Sequence, residues 1–176
     1  KKKCINLILF SDCLTIRKME INCKISSELD NLAKYNEQYY WIPWPENIRP
    51  SKKTIKLKKK LCREITAFYK TVADYILIET FNIGSKFNSE GKLEALSQKE
   101  EVFQFNKNKF PYQLSDNTNH YIVWYTYQPP DETINRNIYD EIYKILAHKD
   151  FQFVWYENPN MNVPGIYHVQ VFWIQI

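Results

Sequence analysis

The chain has 176 residues, of which 44% are hydrophobic and 25% charged, and its formal net charge is +4. This length predicts one domain, or one domain with an extension, with a core that needs no disulfide or metal. All apolar runs are shorter than the ~18 residues of a membrane span, so no membrane-spanning helix is expected. The 13 Tyr, 10 Phe and 5 Trp against 3 Gly predict a large aromatic core or an aromatic-lined cleft.

The N-terminal segment carries signals for a strand, a second strand, a helix and a loop. The start mimics a signal peptide, but its apolar run is only Cys4–Phe10 and no small-residue cleavage site follows, which favours a buried first strand. "MEINCKI" alternates in the manner of a half-buried strand. "SSELDNLAKY" predicts a short helix with Ser27 and Asp30 as its capping box. "YYWIPWPENIRP", residues 39–50, holds three prolines and predicts an extended loop.

The cysteines indicate a reducing compartment. They lie at positions 4, 13, 23 and 62, without a C-x-x-C pair or a neighbouring histidine. Free thiols are therefore expected, and no metal or other cofactor. A reducing compartment predicts the cytoplasm as the location. The abundance of Lys, Asn and Ile is typical of an A/T-rich genome, such as that of a large DNA virus or a protist, and a viral protein would be located in an infected cell.

Helical spacing begins near Ser51. The predicted apolar stripe of this helix consists of Leu57, Leu61, Ile65, Phe68 and Val72. The lysines between 52 and 60 are interpreted as its solvated side, with phosphate binding as the alternative. Thr71 and Asp74 predict the start of a second helix. "NIGSKFNSEGKLEALSQKEEV" predicts a surface loop with at most one helical turn.

Strands dominate the C-terminal part of the chain. "HYIVWYTY", residues 120–127, is β-branched and aromatic throughout and predicts a buried strand. "INRNIYDEIYKIL" predicts an amphipathic helix with Ile134, Ile138, Ile142, Ile145 and Leu146 on one face. "FQFVWYE" and "GIYHVQVFWIQI" predict two more strands. The predicted fold is α+β, with a helical N-terminal half packed on a C-terminal, mainly antiparallel sheet. Residues 1–50 are predicted to be an extension that covers the sheet, and residues 51–176 the main domain.

Four short motifs in this half carry a resemblance. In order they are Asn108-Lys-Phe110-Pro-Tyr112, His120-Tyr-Ile-Val-Trp124, Phe153-Val-Trp155-Tyr-x-Asn158-Pro, and His168-Val169. Together they resemble the conserved domain of the N-acetylglucosamine-induced protein 1 family, with members in fungi and large DNA viruses.

The resemblance covers Ile55 to Phe172. Phe110 stands where tryptophan is usual, and Ile166 where fungal members often have a second histidine. The resemblance implies a conserved domain of unknown activity in which the motif residues lie together.

His120 and His168 are the candidate catalytic residues. Strand alternation places each on one face with the residues two positions away, so the two rings can flank one pocket as a general acid and base. An enzyme of this kind would use metal-independent phosphoester chemistry. The pattern is similar to two-histidine phosphoesterases, but Ile122 and Gln170 occupy the positions of their Thr or Ser. Histidine-triad hydrolases need H-x-H-x-H, which the chain lacks.

Aromatic and amide side chains complete the candidate site. The predicted ligand-binding residues are Asn108, Phe110, Tyr112, Trp124, Trp155, Asn158 and Gln170. Stacking rings beside an amide suit a nucleotide-like or sugar-phosphate ligand. The alternative is a non-catalytic interaction or structural domain, with a protein or nucleic-acid partner, in which the His and Trp residues are core.

Overall fold

The computed structural model describes residues 23–24, 39–43, 48–97, 99–157 and 163–176. The helices in these ranges are α1 (Lys52–Phe68), α2 (Val72–Glu79) and α3 (Asp131–Ile145). The strands in these ranges are β1 (Cys23–Lys24), β2 (Ser85–Phe87), β3 (Leu93–Ala95), β4 (Phe103–Lys107), β5 (Asn119–Tyr125), β6 (Phe151–Glu157) and β7 (Tyr167–Gln175). No helix in this part of the chain has both the length and the apolar character needed to cross a bilayer.

Five strands form one sheet in the order β1–β6–β7–β5–β4. Its neighbouring strands are antiparallel, except that β1 runs parallel to β6. The three strands predicted in the C-terminal part of the chain correspond to β5, β6 and β7. Two helices precede most of this sheet in the chain, so the predicted α+β class is confirmed.

One face of the sheet lies under α3. Ile134, Ile138 and Ile142 are 0% exposed and face odd-numbered side chains of the central strands. These partners are Val123, Tyr125, Phe153, Trp155, Val169 and Val171. Burying each large apolar side chain contributes ~1.5–3 kcal/mol, so this face is the main apolar core. Ile145 is exposed at the last residue of the helix.

The opposite face carries the even-numbered residues of β5 and β7, and two groups of residues cover it. The first group comes from the N-terminal segment and contacts Val154, Phe172 and Ile174. Its members are Tyr39, Trp41, Ile42 and Ile48. The second group comes from α2 and the segment before β7, and it packs beside Trp124. Its buried members are Ala73, Ile76, Val163 and Ile166.

The described residues of the N-terminal segment pack on the sheet, and the division into an extension and a main domain stays a prediction. Residues 39–43 and 48–50 are neither helix nor strand, which agrees with the predicted loop. Cys23 and Lys24 add a short strand at the sheet edge beside β6. The predicted strand at Cys4–Phe10 and the helix after Ser27 lie outside the described residues.

The predicted apolar stripe of α1 is only partly correct. The helix begins after Ser51, whose Oγ accepts a hydrogen bond from the Thr54 backbone N–H at 3.0 Å. Ile65 is buried, but Leu57 and Phe68 are 51% and 70% exposed. The inward face is rotated to a line through Lys58, which is half-buried. The predicted stripe assumed one helix that continues to Val72. Because α1 ends at Phe68 and Val72 begins a separate helix, Val72 does not define the inward face of α1.

The segment predicted as a surface loop after α2 is a β-hairpin of β2 and β3. Asn88 organises its turn, because its Oδ1 accepts hydrogen bonds from the backbone N–H groups of Glu90 and Lys92. Gly91 adopts φ +73°, a conformation that side chains disfavour. The capping prediction for α2 is confirmed, since Thr71 Oγ1 accepts from the Asp74 N–H at 3.0 Å.

Candidate functional site

Both candidate histidines lie on the sheet face that is turned away from α3. They stand on β5 and β7, which are adjacent antiparallel strands, as predicted. The register pairs His120 with Phe172, and Trp124 with His168. Four residue steps therefore separate the two histidines along the strands, or roughly 13 Å at the usual rise. One water molecule cannot bridge rings at that separation.

His120 lies in a fully engaged polar network. Its Nδ1 accepts a hydrogen bond from the Tyr112 backbone N–H at 3.1 Å, so the ring proton is on Nε2. Nε2 donates to Gln170 Oε1 at 2.7 Å. Asn108 Nδ2 donates to the same oxygen at 3.3 Å. Both ring nitrogens of neutral His120 are thus satisfied by protein groups.

Burial and ring packing keep His120 neutral. The side chain is 3% exposed, and its ring lies 4.4 Å from that of Phe172 and 4.7 Å from that of Tyr112. Burial lowers the pKa of His120 from its ordinary 6.5 to about 4, against a smaller opposing effect of the Gln170 hydrogen bond. A group with this pKa is a weak candidate for proton transfer near neutral pH.

The motif from Asn108 to Tyr112 folds over this histidine. The Asn108 backbone N–H donates to the His120 carbonyl oxygen at 2.9 Å. Asn108 Oδ1 accepts from the Phe110 backbone N–H at 2.8 Å, which forms a local turn. The turn brings the Tyr112 N–H onto the imidazole. Asn108, Tyr112 and Gln170 therefore lie around His120, and Phe110 is joined to them through its hydrogen bond to Asn108 Oδ1.

His168 has a different environment. Its Nδ1 lies 3.1 Å from the Ile166 carbonyl oxygen, which can only accept, so Nδ1 carries the proton. The neutral ring then has a lone pair on Nε2, and no group among the described residues hydrogen-bonds to it. The Trp124 ring packs at 4.6 Å from the imidazole. His168 is 4% exposed, whereas Trp124 is only partly buried.

Lys58 of α1 is close enough to His168 for its charge to act on the imidazole. Burial is the main cause of the lowered pKa of His168, and the positive charge of Lys58 lowers it further. Burial also lowers the pKa of Lys58 itself, although the nearby Cys62 thiol opposes this shift. None of the ion pairs among the described residues includes Lys58. A half-buried cation that no described carboxylate pairs with thus lies near an imidazole whose Nε2 accepts no hydrogen bond from a described residue.

Of the predicted site residues that the structure describes, Trp155 is not part of this arrangement. Trp155 lies on the opposite face, under α3, is 0% exposed, and donates its Nε1–H to Asn135 Oδ1 at 2.7 Å. Asn158 lies outside the described residues. Lys58 belongs to the lysines predicted to form the solvated side of α1, but it is half-buried. Its spacing of three and four residues from Leu61 and Cys62 was the signal for this position.

The described residues give no separate indication of a metal centre. No group of three or more His, Cys, Asp or Glu side chains in residues 39–43, 48–97, 99–157 and 163–176 is placed to hold a metal ion.

Comparisons with known proteins agree with a conserved domain. No curated protein matches the sequence. A solved structure titled "Crystal Structure of HTC1" is similar over 84% of each chain, with 10% identity and a TM-score of 0.44. The family described as "Protein of unknown function (DUF3605)" matches residues 45–173. This match does not itself link the chain to the N-acetylglucosamine-induced proteins. Because the matched range spans most of the chain, the protein belongs to the DUF3605 family of proteins of unknown function.

Proposed function

We propose that this protein binds a small phosphorylated ligand, a sugar phosphate or a nucleotide, at a site formed by Lys58, Trp124 and His168. The observation that carries the proposal is Lys58, a half-buried ammonium that no described carboxylate neutralises. Burying a charge without a partner is unfavourable, so such a residue in a folded protein suggests an anionic ligand.

The neighbouring groups specify the rest of the ligand. His168 Nε2 is a hydrogen-bond acceptor in the neutral ring, so it suits a hydroxyl donor such as that of a sugar. The partly exposed Trp124 ring offers a stacking surface for a sugar or a base. A phosphate for Lys58, a hydroxyl for His168 and a flat face for Trp124 describe a sugar phosphate or a nucleotide.

Binding accounts for the site better than acid–base catalysis by two histidines. His120 uses both ring nitrogens within the protein and lies four residue steps along the strands from His168. Only His168 retains a nitrogen that a ligand can use. We therefore assign His120 a structural role and His168 a ligand-binding role.

The test compares Lys58→Met with Lys59→Gln. Met keeps the length of the side chain and removes the charge, whereas Lys59 is exposed on the same helix and serves as the matched control. Isothermal titration calorimetry would use hexose 6-phosphates with and without an N-acetyl group, adenosine monophosphate, and inorganic phosphate. Lys58→Met should abolish binding and raise the free energy of unfolding, because it removes a desolvated charge. Lys59→Gln should change neither.

The free energy of unfolding of Lys58→Met distinguishes a ligand-binding role of Lys58 from a purely structural one. If Lys58 only supported the fold, Lys58→Met would lower the free energy of unfolding. Failure of every phosphate compound to bind the wild-type chain would also overturn the proposal.

A second candidate function is the binding of an extended peptide. An open cleft of about 490 Å³ lies between residues 39–43 and residues 113–115. Tyr40 lines it and is 80% exposed, beside Trp41 and Pro43. Exposed aromatic grooves of this kind suit proline-rich segments. Peptide binding that is lost in Tyr40→Ser, with no phosphate compound bound, would favour this function.

A further inference from the structure

The outward face of α1 carries a stripe of cations that the small-ligand site does not use. The helix holds seven Lys or Arg residues and one carboxylate, Glu64, so its net charge is +6 in a chain whose net charge is +4. The rest of the chain is therefore slightly acidic. The basic charge of this protein is concentrated on one helix.

Helical geometry gathers six of these cations on one side. At 3.6 residues per turn they fall within about 120° of the circumference, opposite the buried face that contains Lys58 and Ile65. All six are exposed: Lys52, Lys53, Lys56, Lys59, Lys60 and Arg63. From the first to the last the stripe extends roughly 16 Å at the usual rise. Of the six, Lys60 has a carboxylate neighbour, Glu64, at 3.7 Å.

We propose that this stripe, residues Lys52 to Arg63 of α1, binds the phosphate backbone of a nucleic acid without sequence preference. A row of exposed cations neutralises consecutive phosphates and releases their counterions, which supplies affinity but reads no base. Five of the six cations are lysines, whose flexible side chains carry a compact point charge that suits phosphate groups.

The distribution of apolar side chains argues against two other partners. The exposed Leu57 and Phe68 lie on one flank of α1 and the exposed Ile55 lies on the other, and the stripe from Lys52 to Arg63 contains no apolar residue. A helix that lies in a membrane surface turns an apolar face toward the lipid. The centre of a protein interface is depleted of lysine and enriched in aromatic residues. A stripe made only of cations fits neither description.

The salt dependence of binding tests the proposal with the full chain. A mixed-sequence DNA duplex and an RNA strand of the same sequence serve as fluorescent probes, titrated at several KCl concentrations. If the six cations contact six phosphates of the duplex, a plot of log Kobs against log[KCl] should have a slope of about −5. The triple variant Lys56→Gln, Lys59→Gln, Arg63→Gln should flatten that slope by about 3. Its exposed positions and the helix propensity of Gln keep α1 folded, which circular dichroism would verify.

A matched variant controls for net charge. Lys86, Lys107 and Lys149 are exposed cations outside α1, and their replacement by Gln makes the same change in net charge. This control and Lys58→Met should retain the wild-type slope. Equal flattening in the control and stripe variants would overturn the proposal. The proposal would also be wrong if the wild-type chain bound phosphatidylserine vesicles tightly but bound neither nucleic acid, and if the stripe variant lost the vesicle binding.

Lys58 faces inward and is not part of the stripe. Lys58→Met should therefore lose sugar-phosphate binding without changing the salt dependence of nucleic-acid binding. The two proposals therefore succeed or fail separately.

Discussion

Replacing His120 with Gln should reshape the pH dependence of stability. In the folded chain burial lowers the pKa of His120 from 6.5 to about 4. As the pH falls through 6.5, the unfolded chain takes up a proton that the folded chain does not. The unfolded state therefore binds more protons between these pH values, and the free energy of unfolding falls as the pH falls. One pKa unit corresponds to about 1.4 kcal/mol, so the loss from pH 7 to pH 4 is about 3 kcal/mol.

At pH 7 the variant should be less stable than the wild type. A Gln amide can still donate to Gln170 Oε1, but it leaves the Tyr112 N–H without the acceptor it now has at 3.1 Å. An unsatisfied buried donor costs ~1–3 kcal/mol. The variant has no imidazole at position 120, so it lacks the loss of stability that His120 causes in acid. The two stability profiles should therefore converge or cross near pH 4.

Denaturant unfolding followed by tryptophan fluorescence, at a series of pH values, measures this difference. The titration of His168 is present in both proteins and cancels in the comparison. Val154→Ala is a suitable control, since it removes buried apolar volume on the same face without changing a titrating group. Its profile should run parallel to that of the wild type. A parallel profile for His120→Gln would refute the assignment of His120 as a buried, neutral histidine.

Three further substitutions test the packing around the site. Trp155→Phe should lower the free energy of unfolding by ~1–3 kcal/mol, because it removes the hydrogen bond to Asn135. A double-mutant cycle with Asn135→Ala should show coupling between the two residues, and additive effects would contradict the hydrogen bond. Thr71→Ala should cost ~1 kcal/mol in denaturant unfolding, because it removes the cap on the Asp74 N–H; an unchanged midpoint would mean that packing alone holds α2. Asn88→Ala should speed amide hydrogen exchange in β2 and β3 but not in β5 to β7, and uniform exchange would exclude its role in the hairpin turn.

Strand faces could be predicted from the sequence because the side-chain period of a strand is two. That period placed His120 with Trp124, and His168 with Gln170, and both pairs lie on the predicted faces. The inward face of α1 was harder to predict, because the sequence does not show which of its polar residues lie on the buried side. A pattern count treats lysine as solvent-facing, yet Lys58 lies on the buried side.

The hairpin was missed for a related reason. Its strands are three residues long and exposed or only partly buried, so alternation gives almost no signal there. The information lies instead in the turn, where Asn88 supplies a side-chain acceptor and Gly91 a positive φ. Such turn chemistry identifies a hairpin only when the residues on both sides are already known to pair.

The candidate site shows why a motif of polar residues does not by itself identify a reactive centre. Asn108, His120 and Gln170 satisfy one another, and a buried polar network of this kind favours one arrangement of the strands and the loop above them. In that network both ring nitrogens of His120 and the Oε1 atom of Gln170 have hydrogen-bond partners within the protein. Lys58 and His168 differ because each retains a capacity that the described protein groups do not use, a charge in one case and a lone pair in the other. Unused capacity at a partly desolvated position costs stability, which is why we propose the ligand site at these two residues rather than at the more numerous network residues.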